Sequence, residues 1–85
     1  MFDAQKVKEL IAQGLPCEYV EVVGDDGVHF SSIVVSETFE GMSLVKQHKA
    51  VKATLGSLMG NEIHALQLKT FTPEKWAAFQ QELGD

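Results

Sequence analysis

Apolar residues recur at helical spacing near the start of the chain, where Val7, Leu10 and Ile11 fall on one side of a segment from Ala4 to Gln13. Asp3 is placed to cap this helix, with Phe2 and Val7 at the two staple positions around the cap. Gly14 suits a left-handed stop, and Pro16 forbids continuation. The period then changes. Cys17 to Val23 and Val28 to Val35 are rich in β-branched and aromatic residues, and the Gly24-Asp25-Asp26-Gly27 loop between them makes the pair a hairpin.

After a loop from Ser36 to Met42, Ser43 caps a longer helix. Leu44, His48, Val51, Leu55 and Leu58 form one apolar stripe on it, with His48 inserted among the aliphatics. Lys46, Lys49 and Lys52 make a neighbouring stripe with no acid between Leu44 and Gly60. Gly56 weakens the interior, so a break into two helices is expected there, and Gly60-Asn61 ends the run. From Ile63 to Phe71 the chain alternates: Ile63, Ala65, Gln67 and Lys69 point one way, and His64, Leu66, Leu68 and Thr70 the other. Thr72 then caps a last helix that carries Pro73 first, Glu74 in its first turn, and a Phe71 to Trp76 staple.

The order is helix, strand, strand, split helix, strand, helix. A hairpin followed by a helical crossover predicts an α+β fold: a three-stranded mixed sheet, its last two strands parallel, with helices mainly on one face. At 85 residues the chain makes a single domain, which buries only a little over about 60% of its unfolded surface and leaves little room for a deep enzyme pocket. Hydrophobic content of 45% against 22% charged is that of a folding domain and not of a disordered tail.

Charge narrows the function classes. Seven Lys, no Arg and a net charge of −5 oppose nucleic-acid binding through the global field, so any such contact must be local. One cysteine, Cys17, excludes an intramolecular disulfide framework. No basic-then-apolar leader or run of roughly 18 apolar residues is present, which makes the cytoplasm the expected compartment and a membrane location unexpected. There is no nucleophile with an evident base, no phosphate-cradling glycine loop and no paired carboxylates on one element, so the chain reads as a non-enzyme.

Imidazole is the side chain here best suited to a borderline or soft metal. Neither H-x-x-x-H nor a Cys/His tetrad occurs, so one chain does not complete a zinc site. His29 at the hairpin mouth and His64 at the start of the last strand approach each other if that strand lies beside the second one, giving two nitrogen ligands that need a partner for the rest. The structural alternative for His64 is an imidazole at the core's edge bonded to backbone groups. Gly24 and Gly27 have G-x-x-G spacing, but two acids between them repel a nucleic-acid backbone.

The ordered segments F-E-G-M-S-L-V-K-Q-H-K-A-V, I-H-A-L and T-P-E-K-W resemble the BolA-like proteins, and the resemblance spans Val7 to Trp76. It implies a fold similar to class II KH domains. It also implies an adaptor that binds a monothiol glutaredoxin and shares a [2Fe-2S] cluster for iron–sulfur trafficking or iron and stress sensing, with none in the isolated chain. His64 matches the family's cluster ligand, while the partner contributes a cysteine and bound glutathione. The second family ligand is a Cys or His from the loop between the first two strands; this loop has no cysteine, and His29 is the nearest candidate. His48 resembles the histidine of an Arg-His pair, with Gln47 standing where arginine is common. A DNA-binding regulatory role is also attributed to the family, and for it or for partner docking the candidates are Lys46, His48, Lys49, Lys52 and Lys69. Alone, the chain is expected to be a monomer or weak homodimer.

Overall fold

Two strands from one hairpin and a third from across the molecule form the sheet, in the order β1(Tyr19–Val23), β2(His29–Val35), β3(Ala65–Phe71). The chain is described by a computed structural model over residues 3–24 and 26–84; Phe2 of the expected staple and Asp25 of the hairpin loop lie outside them. β1 runs antiparallel to β2, with Tyr19 opposite Val35, and β3 runs parallel to β2, with His29 opposite Ala65 and Val35 opposite Phe71. The mixed sheet expected from the order of elements is the one observed.

The helices α1(Ala4–Gly14) and α2(Leu44–Leu55) enclose the main core. Val7 and Ile11 of α1 meet Val20, Phe30 and Val34 of the sheet, Val51 and Leu55 of α2, and Phe39 and Ile63 from the connections. Side chains of this size each stabilise the fold by about 1.5–3 kcal/mol when fully buried, so this small cluster supplies much of the driving force. Ser36 is buried with it, yet its hydroxyl donates to the Pro16 carbonyl at 2.7 Å and accepts the Thr38 N–H at 3.1 Å. A buried hydroxyl so satisfied carries no desolvation penalty of the unpaired kind.

Three local expectations need correction or refinement. Gly14 does not adopt a left-handed stop: it stays in α1, and a Cβ there would stand 2.6 Å from Thr54 Cγ2, so its role is the close approach of α1 to α2. The helix ends instead with Leu15 donating its N–H to Ile11 O. Gly56 does break the long helix, at φ 55 and ψ −131, a conformation that a Cβ disfavours strongly, and a short 3₁₀ turn Gly56–Leu58 follows. The apolar stripe of α2 holds from Val51 onward, but its first turn is shifted. Leu44 is 61% exposed and Gln47 is buried in its stead, because Gln47 finds polar partners inward.

The third helix, α3(Pro73–Gly84), lies apart from this core. Tyr19 and Phe71 alternate with Val20 and Thr70, whose side chains face α1 and α2, so they occupy the opposite face of the sheet. Trp76 stacks on Tyr19 at 5.3 Å and packs on Phe71 at 5.2 Å, as the staple required, and Phe79 lies 5.1 Å from Phe71. Val35, between Tyr19 and Phe71 in register, is fully buried as a result. Among the described residues no helix is packed over the remainder of that face, toward the hairpin mouth.

Candidate functional site

At the mouth of the hairpin the parallel pairing of β2 and β3 brings His29 and His64 together. Their ring centroids are 5.4 Å apart and the planes nearly perpendicular, at 85°. Both residues are exposed. The spacing follows from register: His29 opens β2 opposite Ala65, and His64 directly precedes β3.

His64 does not lie on the side of the leucines, as simple alternation required. Its N–H and that of Ala65 both donate to the Val28 carbonyl, at 2.8 and 3.1 Å. Two successive donors on one acceptor shift the alternation by a residue, as a bulge does, so Ile63 is fully buried and His64 turns outward.

Asp26, expected from the sequence only to repel phosphate, is part of the site. Its Oδ1 accepts the N–H of Val28 at 2.9 Å and of His29 at 2.8 Å, and its Oδ2 lies 2.6 Å from His29 Nδ1. The backbone N–H of His29, then that of Val28, then the His29 ring hold the Asp26 carboxyl well below the usual carboxylate range. The legible signal is D-G-V-H itself: an aspartate before glycine at a turn is placed to bond the backbone two residues on.

Val23, Gly24, Ser31, Ala65 and Gln67 border an open depression beside His29. Gly24 is required there, since a Cβ would stand 2.6 Å from the Phe30 ring and 2.7 Å from the His29 carbonyl. Among the described residues no group of three or more His, Cys, Asp or Glu side chains could hold a metal ion. The pair nonetheless fits a shared metal: two imidazoles on one tetrahedral ion, with metal–nitrogen bonds of about 2.0–2.1 Å, have centroids about 5 Å apart. A metal held there would draw at most two ligands from this pair and the rest from another molecule.

The other candidates lie elsewhere. Lys46, Lys49 and Lys52 are exposed on α2. Lys69 does not join them, because it alternates with Thr70, which reaches α2, and so faces the far side of the sheet near Glu21 and Ser31. His48 is partly buried, and its Nε2 is shielded without a hydrogen-bond partner. Cys17 is half-buried, and burial pushes its thiol up. A raised thiol is the opposite of an activated nucleophile. No helix of the described residues is long and apolar enough to cross a membrane.

Comparison with known proteins agrees with this architecture. The chain is 38% identical over 73 residues to the acid stress protein IbaG of Escherichia coli K12, covering 85% of this chain and 86% of that protein. It is 43% identical over 54 residues to the DNA-binding transcriptional regulator BolA of Vibrio cholerae, covering 64% of this chain and 51% of that one. Among solved structures, a BolA homologue from Coxiella burnetii superposes with a TM-score of 0.74 at 38% identity, over 91% of this chain and 99% of that one. With the family described as "BolA-like protein" matching residues 12–75, and the same three-stranded fold in a solved homologue, the chain belongs to the BolA-like family.

Proposed function

We propose that the protein is an adaptor that docks a monothiol glutaredoxin and shares a [2Fe-2S] cluster with it, for iron–sulfur trafficking or iron and stress sensing in the cytoplasm. The observation that carries this reading is the exposed His29–His64 pair, two imidazoles at metal-sharing distance with no third His, Cys, Asp or Glu side chain placed to complete a metal site among the described residues. His64 and His29 would hold one iron, and the partner's cysteine and glutathione thiolate the other. Bound in this way, the cluster supplies a redox centre with nitrogen at one iron, which raises its potential relative to all-sulfur ligation. This chain's own part is to keep both rings solvent-facing and rigidly based on paired strands. The name of the Escherichia coli relative, an acid stress protein, accords with a stress role.

Mixing the protein with cluster-loaded monothiol glutaredoxin and glutathione tests the reading. Visible absorption and circular dichroism of the cluster should change with the native chain and stay unchanged with His64→Ala. A native chain that leaves the spectrum of the glutaredoxin's own cluster unaltered removes the proposal.

A second reading, contact with duplex DNA through α2, has one observation in its favour. Lys46, Lys49 and Lys52 are exposed with no acidic partner at ion-pair distance among the described residues. Lys46 sits in the first turn of α2, where a cation opposes the helix dipole, so helix stability does not account for it. The Vibrio cholerae relative is named as DNA-binding. Affinity for a duplex should fall steeply with salt and with Lys49→Glu, and absence of binding at low salt eliminates the reading.

A further inference from the structure

We infer that Asp26 is the positioning residue of the histidine pair: it keeps the His29 proton on Nδ1 and thereby presents the Nε2 lone pair, beside His64, to an incoming metal centre. This rests on the cluster-ligand reading above and extends it to a residue outside both ligands.

The geometry supports this in two steps. Oδ1 of Asp26 accepts both backbone donors of the turn, from Val28 and His29, which is all that the turn itself requires. Oδ2 is then free, and it contacts His29 Nδ1 at 2.6 Å. An ionised carboxylate only accepts hydrogen bonds, so the nitrogen facing it must donate. An exposed aspartate is a carboxylate at neutral pH. In a neutral ring the one remaining lone pair then sits on Nε2, directed away from Asp26. Proteins orient metal-ligating histidines by this carboxylate-to-imidazole contact, which fixes the tautomer and raises ligand basicity.

The side chain thus does two things at once. It closes the turn that starts β2, and it sets the ring that β2 carries. An exposed contact of this kind contributes little to stability, so its effect should appear in the ring and not in the melting point.

Asp26→Asn separates the two roles. The amide oxygen can still accept from Val28 and His29, but only its nitrogen is left to face Nδ1. That nitrogen donates, which drives the ring proton to Nε2 and blocks the ligating position, the wrong-tautomer effect known from carboxylate-to-amide changes behind a functional histidine.

The first arm uses the isolated, nitrogen-15-labelled chain at a mildly alkaline pH, where neutral imidazole tautomers are read from ring nitrogen shifts. The native His29 should carry its proton on Nδ1, and Asp26→Asn should move it to Nε2 with the Val28 and His29 backbone amide signals in place. A native ring protonated on Nε2, or an Asn variant indistinguishable from the native ring, overturns the inference. The second arm titrates cluster-loaded monothiol glutaredoxin with glutathione. Asp26→Asn should weaken the cluster-bearing complex by about 10- to 100-fold, toward the level of His29→Ala. Equal affinity of the Asn variant and the native chain overturns the metal-facing role. If the native chain shares no cluster at all, the cluster reading fails with that role, while the first arm still decides whether Asp26 sets the tautomer.

Discussion

Thr70 on β3 donates its hydroxyl to Gln47 Oε1 on α2 at 2.6 Å, and the same Gln47 amide donates through Nε2 to the Met42 carbonyl at 3.0 Å. One buried side chain therefore ties the helix to the sheet and to its own entry loop. An arginine in its place would have five donors and no acceptor, so it could not receive the Thr70 proton in the same way.

Replacing Gln47 with Leu should lower stability by about 1–3 kcal/mol, because the Thr70 hydroxyl and the Met42 carbonyl are both left without this partner. Adding Thr70→Val removes one of the stranded groups and should recover part of the loss. Urea unfolding with unchanged slope and a shifted midpoint measures both steps. Strictly additive losses in the double variant would show that the two side chains are not coupled.

Gly14→Ala decides between two opposing effects. In a free helix the change would gain up to about 1 kcal/mol from propensity. Here the new methyl stands 2.6 Å from Thr54 Cγ2 and 2.8 Å from its Cβ, and overpacking of this kind costs about 1–3 kcal/mol. The variant should be destabilised, and Thr54→Ala should rescue it only in part, since Cβ remains. A more stable Gly14→Ala would mean that α1 and α2 can separate freely.

Much of this arrangement was legible in the residues, and the misses have specific causes. The order of elements and the turn chemistry were enough to place His29 near His64, because parallel pairing leaves few registers that bury Phe30, Leu66 and Leu68 on one side. What alternation could not foresee is the double donation to Val28 that turns His64 outward, a property of the junction between loop and strand. The burial of Gln47 is not legible from spacing, because a polar residue interrupts an apolar pattern unless its partners are known, and Met42 O and Thr70 Oγ1 follow no helical spacing rule. Gly14 illustrates a degeneracy: glycine before Leu-Pro reads equally as a left-handed stop or as room for a neighbour, and only packing distinguishes them. For Asp26 the spacing shows a turn acid that repels phosphate, while the contact of its second oxygen with the His29 ring depends on the folded turn.

His64→Ala should leave the unfolding free energy within about 0.5 kcal/mol of the native value, because the ring is exposed and packs into no core. The same variant should abolish the spectral change with cluster-loaded glutaredoxin. Measuring both on one preparation separates a ligand from a structural residue. A large stability loss would assign His64 to the fold and void its spectral result.

Tyr19 offers a reporter of the opposite end of the sheet. Its hydroxyl donates to Glu21 Oε2 at 2.7 Å, two residues along the same strand and so on the same face, while its ring stacks on Trp76. The hydrogen bond to Glu21, followed by desolvation and the charge of Glu21, pushes the phenol above its ordinary value. The folded state then holds its proton where the unfolded chain has begun to lose it. The contribution of this bond is fully present below the unfolded tyrosine pKa of about 10, and it is lost as pH rises through the higher folded value. The chain has one Tyr and one Trp, so tyrosinate absorbance belongs to Tyr19 alone and indole fluorescence to Trp76. Alkaline titration should show tyrosinate forming later in the native chain than in denaturant, with Trp76 emission falling in step as the stacked ring ionises. Glu21→Gln removes the charge and should bring the titration back toward the ordinary range. Coincident native and denatured curves would mean that the Tyr19–Glu21 bond does not persist in solution.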